Sequence, residues 1–161
     1  MNFSIRLATL SDIPALVPLC LEMETHYQGD KAIDESTARR RLTHWFEKTS
    51  DSVMLVATKD RALVGHAVIC PLFPAGNLDT AWFLKDIFVA NAARGEGIGE
   101  ALIKACAKET LRRKGARFDL TVDAGNVGAR ALYERLGAID THKAYLRWDG
   151  DALASLAESA S

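Results

Sequence analysis

Residues 87–102 read Ile-Phe-Val-Ala-Asn-Ala-Ala-Arg-Gly-Glu-Gly-Ile-Gly-Glu-Ala-Leu. An apolar run stops, a turn follows, glycine recurs at every second position, and a strongly helical segment begins at once. Glycine allows a positive φ and a close approach of backbone to a ligand. A helix that starts straight out of such a turn aims its unpaired N–H groups and the positive end of its dipole at one spot. Strand, glycine turn and helix together make a socket for phosphate or pyrophosphate. A ligand-free tight turn is the plainer alternative, but alternating Gly95, Gly97 and Gly99 directly before a helix are costly for a turn alone.

The patterning around the socket predicts a mixed α/β chain. Residues 3–8 alternate apolar and polar side chains and read as a strand. A helix follows, with Ser11 as N-cap and Pro14 among the positions whose N–H has no helical partner; Ile13, Leu16, Val17, Cys20 and Leu21 mark its buried face. The polar segment 27–34 reads as a loop. Residues 35–48 form a second helix that buries Ala38, Leu42, Trp45 and Phe46. Strands at 53–57 and 63–72 are joined by the tight turn Lys59-Asp60-Arg61 into an antiparallel hairpin ended by Pro71 and Pro74. After a loop at 74–80 comes a strand at 81–89, on which Trp82 and Phe83 point to opposite faces. The socket helix buries Ile98, Ala101, Leu102, Ala105 and Cys106, and Gly115 terminates it. A strand at 118–122 leads to a short helix capped by Asn126, with Ala129, Leu132, Tyr133 and Leu136 on its apolar face and Gly137 as its stop. Residues 138–148 read as one or two strand segments, and 151–161 as an Ala-rich tail. The order implies a mixed sheet with helices on both faces, in a single domain over 1–161 with its core at about 3–148.

Composition removes several function classes. The 161 residues carry 20 basic and 21 acidic side chains, for a net charge of −1. That balance does not provide the one-sided basic excess of a nucleic-acid binder. No run approaches the ~18 apolar residues of a membrane span, and the N-terminus lacks the pattern of a signal peptide. Cys20, Cys70 and Cys106 are widely spaced and odd in number, so they read as reduced thiols of a cytoplasmic protein. His26, His44, His66 and His142 form no ligand pair, and no metal is expected.

Two familiar phosphate motifs fail. The dinucleotide fingerprint needs glycine where Glu100 stands, and the P-loop needs Lys-Ser/Thr where the chain has Glu100-Ala101. Arg94-Gly95-Glu96-Gly97-Ile98-Gly99 instead fits Arg/Gln-x-x-Gly-x-Gly/Ala, and here the chain resembles the GNAT-type N-acetyltransferases. The resemblance extends to Ile5-Arg6-Leu7-Ala8-Thr9 with Asp12-Ile13, to Leu84-Lys85-Asp86-Ile87-Phe88-Val89, and to Asn126 followed by Ala131-Leu132-Tyr133-Glu134-Arg135-Leu136-Gly137-Ala138. It covers roughly residues 4–148.

The resemblance implies a mostly antiparallel sheet splayed at the cofactor site. It implies acetyl-CoA as co-substrate, an amine acceptor and direct transfer in a ternary complex, in a protein that could be a homodimer. Ile87, Phe88, Val89, Arg94, Gly95, Glu96, Gly97, Ile98, Gly99, Glu100, Asn126, Ala129 and Tyr133 would line the cofactor. The backbone N–H of Val89 would face the thioester carbonyl, and Tyr133 would protonate the departing sulfur. Glu22, Glu24, Tyr27, Phe83, Lys85 and Asp86 are the acceptor-side candidates. The nearest branch by resemblance is that of the diamine and thialysine acetyltransferases. There, the position of Lys85 is usually a glutamate assigned to amine deprotonation. Lys85 reverses that charge and would repel a polycation; by the two-residue period it should share a face with Phe83 and Ile87. Asp86, His66, Glu22 and Glu24 are the remaining candidates for a base. A non-catalytic acyl-CoA sensor, or a transferase for another acyl group, fits the same residues.

Overall fold

The computed structural model describes residues 2–48 and 51–159. The chain divides into two compact units, one through Leu120 and one from Thr121. The first holds β1 (Ser4–Leu7), α1 (Ile13–Gln28), α2 (Glu35–Lys48), β2 (Val53–Lys59), β3 (Ala62–Leu72), β4 (Ala81–Val89), α3 (Ile98–Arg112) and β5 (Arg117–Leu120). The sheet order is β1-β2-β3-β4-β5, with antiparallel neighbours except for the parallel β4–β5 pair.

β2 is apolar on both sides because both sides are covered. Val53, Leu55 and Ala57 join Ala67, Ile69, Trp82 and Leu84 beneath Ile98, Leu102 and Cys106 of α3. Met54 and Val56 alternate to the other face and meet Leu16 of α1, while α1 and α2 pack through Ile13, Val17 and Ala38. Burial at this scale, about 25 cal/mol per Å² of apolar surface, makes β2 and β3 the rigid floor of the unit.

Several local expectations are corrected. Ser11 does not cap α1. A single 3-10 turn at Leu10–Asp12 precedes the helix, and the Asp12 carboxylate accepts the Thr9 N–H at 2.8 Å. Arg6 grips that carboxylate with two hydrogen bonds of 2.7 Å, a hold that a serine hydroxyl has no charge to attract. α1 also continues through Tyr27 to Gln28, where a loop was expected. The polar residues there are the exposed end of a helix, which Gly29 stops at φ +56°.

The β2–β3 hairpin turns on Asp60 and Arg61, both at positive φ. β3 then runs through Pro71 to Leu72, the bound expected for it. The ladder with β2 stops at Ile69, so Pro71 sits where β4 is the sole strand neighbour, an edge position that tolerates proline. At the end of α3, Lys114 rather than Gly115 takes the positive φ. Gly115 is required for space instead, because a Cβ there would collide with the Trp82 ring and lie 2.8 Å from Thr110 Cγ2. β5 ends at Leu120, two residues short of expectation, where its pairing with β4 ends.

The second unit holds α4 (Val127–Arg135) and α5 (Gly150–Glu158). Asn126 caps α4 as expected, its Oδ1 accepting the Ala129 N–H at 3.1 Å. Gly137, at φ +94°, closes it while the Ala138 N–H donates to the Tyr133 carbonyl at 3.0 Å. Residues 138–148, expected as strand, form none among the described residues. Their alternation fits a strand, but a strand exists only through a ladder partner, and none is present. The tail is helical as α5, with every residue exposed.

Candidate active site

β4 organises the site. β3 accompanies it from Ala81 to Val89, whereas β5 pairs only with Ala81, Trp82, Phe83 and Leu84. From Lys85 to Val89 the edge facing away from β3 has no strand partner among the described residues, the splay that the resemblance implies. The ladder slips where the splay begins. Asp86 lies opposite Val68, Leu84 lies opposite Ile69, and Lys85 between them has no partner.

This β-bulge resets the alternation. Trp82 and Leu84 belong to the core under α3, and past the bulge Ile87 and Val89 pack there too. Asp86 and Phe88 therefore turn to the α1 face, together with His66. Lys85 is exposed. The expectation that Lys85 shares a face with both Phe83 and Ile87 fails: Ile87 packs on the α3 core, whereas Phe83 is paired with Cys70 on the other side of the bulge.

On the α1 face a buried histidine backs a partly exposed carboxylate. His66 is 1% exposed, and its Nε2 lies 3.0 Å from Asp86 Oδ2. The Asp86 side chain keeps 30% of its surface open. The Phe88 ring lies 6.2 Å from the imidazole and 6.4 Å from His26. Burial pushes the Cys20 thiol up to about 12, and the nearby Asp86 and Glu24 carboxylates add to the effect. Cys70 is raised by burial as well, but the Lys85 ammonium opposes that shift. Two adjacent residues, Lys85 and Asp86, thus direct opposite charges at different thiols.

The glycine socket leads out of β4. Gly95 and Gly97 both adopt φ +80°, and nothing among the described residues lies within 4 Å of where their Cβ atoms would be. Their conformation is one that other residues resist. Gly97 is the N-cap of α3 and, lacking a side chain, provides no cap for it. The first intrahelical bond runs from the Ala101 N–H to the Gly97 carbonyl at 3.0 Å. The N–H groups of 97–99 therefore have no partner within the helix. Glu96, an odd neighbour for phosphate, is held by Lys59 Nζ at 2.7 Å. Arg94 folds back, donating from Nε to the Val89 carbonyl at 3.1 Å, with its guanidinium 5.6 Å from the Phe88 centroid.

The other sequence candidates separate. Glu22 accepts the Asn91 N–H at 2.8 Å and ties α1 to the turn after β4. Glu24 is half-buried near Cys20. Tyr27 is exposed, edge-on to His26. Ile98 is buried in the core, and Glu100 pairs with Lys104 at 2.7 Å. Asn126, Ala129 and Tyr133 lie in the second unit, Tyr133 buried and Ala129 half-buried. Sequence reasoning named His66 and Asp86 singly but missed their pairing. The register of β3 on β4 was the available signal, and the bulge hides it.

The family model described as Acetyltransferase (GNAT) family matches residues 20–138. The chain belongs to the GNAT acetyltransferase family. The match runs past Leu120 into the second unit. The chain is 32% identical over 137 residues to the uncharacterized N-acetyltransferase YhfO of Bacillus subtilis (strain 168), covering 83% of this chain and 88% of that protein. It is 38% identical over 79 residues to a thialysine N-epsilon-acetyltransferase of Sus scrofa, covering 47% of this chain and 46% of that one. Among solved structures, the V. cholerae integron cassette protein VCH_CASS6 superposes with a TM-score of 0.90 at 32% identity, over 98% of this chain and 99% of that one. GNAT acetyltransferases use acetyl-CoA as co-substrate. The socket fits such a group: glycines at positive φ, open space above them, and helix N–H groups without a partner in the helix, all suited to a pyrophosphate. No helix among the described residues is long and apolar enough to cross a membrane.

Proposed function

We propose that the protein acetylates a primary amine, with both units forming one domain. The observation that carries this reading is the pair of glycines at φ +80° ahead of an uncapped helix start, on a strand whose outer edge has no strand partner past Leu84 among the described residues. Bound acetyl-CoA supplies an acetyl group as a thioester. The N–H groups of 95–100 would hold the pyrophosphate, with Arg94 beside them and Asn126 and Ala129 along the CoA arm. Ile87, Phe88 and Val89 would offer backbone to the pantetheine as an added strand would receive it. The Val89 N–H would donate to the thioester carbonyl, and the Tyr133 hydroxyl would give its proton to the sulfur.

For the acceptor we favour an amine that also carries a carboxylate, such as an amino acid. The adjacent charges of Lys85 and Asp86 support this choice, as does the likeness to a thialysine acetyltransferase. A cytoplasmic setting agrees with the three free thiols. A homodimer agrees with the exposed Ile139, Tyr145, Leu146 and Trp148, whose strand-patterned segment a second copy could pair; light scattering would register the mass.

The test is a screen of acetyl-CoA and longer acyl-CoAs against L-ornithine, L-lysine, spermidine and a short peptide, read by thiol release. Transfer from acetyl-CoA to a primary amine is expected. CoA binding without turnover on any amine would favour a sensor, and turnover only with a longer acyl group would reassign the donor.

A further inference from the structure

Glu96 is a carboxylate in a socket built for an anion. It is the one residue between Gly95 and Gly97, both at φ +80°. It also stands one position ahead of Gly97, which gives α3 no side-chain cap. The positive end of a helix attracts a nearby carboxylate. A glutamate left loose at this point competes for the N–H groups of 97–99, and its charge opposes any second anion. The structure puts it elsewhere. Both carboxylate oxygens accept hydrogen bonds of 2.7 Å from Lys59 Nζ. Lys59 is the last residue of β2. The alternation that sends Val53, Leu55 and Ala57 under α3 brings Lys59 to the same face at the end of the strand. β2 is held in the sheet there, Lys59 lying opposite Ala62 of β3, whereas the residue it grips has a glycine on either side. Asp60 is the other carboxylate that acts on Lys59, yet the hydrogen bonds go to Glu96. The two side chains keep 27% and 39% of their surface open, and an ion pair so exposed adds little to stability. Its use lies in where it puts the carboxylate.

We propose that Lys59 is a positioning residue of the socket: it holds Glu96 clear of the N–H groups that open α3, so that they can take the pyrophosphate of CoA. The inference rests on the amine-acetylation reading above, through its CoA site. Lys59 acts through Glu96 and not on the phosphates. Once released, Glu96 is an anion tethered beside the socket, and a tethered competitor acts at a high effective concentration. This role has a signature that two simpler roles lack. If Lys59 only tied the loop down, removing either end of the pair would weaken CoA binding alike. If Lys59 offered its own charge to CoA, the loss on removing it would persist whatever stood at position 96. If Lys59 restrains a competing carboxylate, the loss disappears once that carboxylate is gone.

The test measures CoA affinity by calorimetry in wild type, Lys59→Ala, Lys59→Arg, Glu96→Gln and the double variant Lys59→Ala/Glu96→Gln, with thermal melts to show that each is folded. Lys59→Ala should bind CoA about tenfold more weakly. Lys59→Arg, which keeps the cation, should recover most of that loss. Glu96→Gln should bind about two- to threefold more tightly, since it removes a like charge beside the pyrophosphate. The double variant should match Glu96→Gln, so that the two changes couple by about tenfold or more. In acetyl transfer to whichever of L-ornithine, L-lysine or spermidine reacts best, Lys59→Ala should raise KM for acetyl-CoA by more than it changes kcat, and the double variant should reverse that rise. A double variant as weak as Lys59→Ala overturns the proposal, as does a Glu96→Gln protein that loses as much affinity as Lys59→Ala. Wild-type affinity in Lys59→Ala overturns it as well. A wild-type protein that binds no CoA would instead overturn the reading on which it rests.

Discussion

Gly99→Ala and Gly97→Val together separate a glycine that alanine can replace from one that the socket requires. Gly99 is the second residue of α3, and its φ is not in the left-handed region. A Cβ there would meet only Val89 Cγ2, at 3.9 Å, an ordinary van der Waals contact. Folding therefore gains from the change. Alanine exceeds glycine by ~1 kcal/mol in a helix interior, and about half of that is reasonable in a first turn. For a chain of this length that raises the Tm by about 1–2 °C. Binding should change little, because the pattern that this segment fits admits alanine at position 99 and the methyl meets only Val89. A CoA affinity within about threefold of wild type, ~0.7 kcal/mol, is the expected outcome. Gly97→Val is the companion variant. At φ +80° it carries a backbone cost of ~1–2 kcal/mol or more, so its stability and CoA affinity should fall together. The assays are thermal melts without ligand and calorimetric titration with CoA. A folded Gly97→Val protein with unchanged CoA affinity would refute the claim that these glycines admit a phosphate-bearing ligand.

Three other outcomes are expected. Tyr133→Phe should lower kcat by ~10²-fold with little effect on CoA affinity; full turnover would leave Tyr133 a packing residue. Lys85→Glu should raise kcat/KM for spermidine relative to L-ornithine by about tenfold, since a reversed charge some 4 Å from an ammonium changes the interaction by ~2 kcal/mol in water; an unaltered ratio places Lys85 outside the acceptor's path. Glu109 is held down to about 2 by hydrogen bonds from Arg112 and Arg113 against an opposing burial effect, so its stabilisation is present above the ordinary value of 4.5 and is lost as pH falls towards 2. Because those arginines reach into solvent, the effect is discounted to about 1 kcal/mol; Glu109→Gln should flatten the acid melting curve by that amount, and an unchanged curve would remove the ion pair from the stability account.

The legible parts of this fold are those set by neighbours along the chain. β4 at Ala81–Val89 and α2 at Glu35–Lys48 have the bounds their patterns predict, because period and flanking turn residues agree. The Asn126 cap and the Gly137 stop likewise depend on residues within one turn. What was illegible depends on partners far away in sequence. Gly115 is dictated by the Trp82 ring, and residues 138–148 have no ladder partner among the described residues. The socket could be read in advance because its glycines announce a backbone conformation. The His66–Asp86 contact could not, because it spans 20 residues and a strand register that slips by one.

That slip explains why strict alternation fails at Lys85. A regular β4 would have put Lys85 on the α1 face and Asp86 into the apolar core under α3, where an unpaired carboxylate is costly. The bulge removes the conflict. It leaves Lys85 exposed and turns Asp86 to His66, and it returns Ile87 and Val89 to the core. The charge reversal at residue 85, measured against the branch the chain resembles, thus falls on the one residue of this strand segment that has no ladder partner. Its neighbour keeps a carboxylate facing α1. A local break in pattern, with the surrounding ladder intact, is where sequence-level rules are expected to give way to tertiary context.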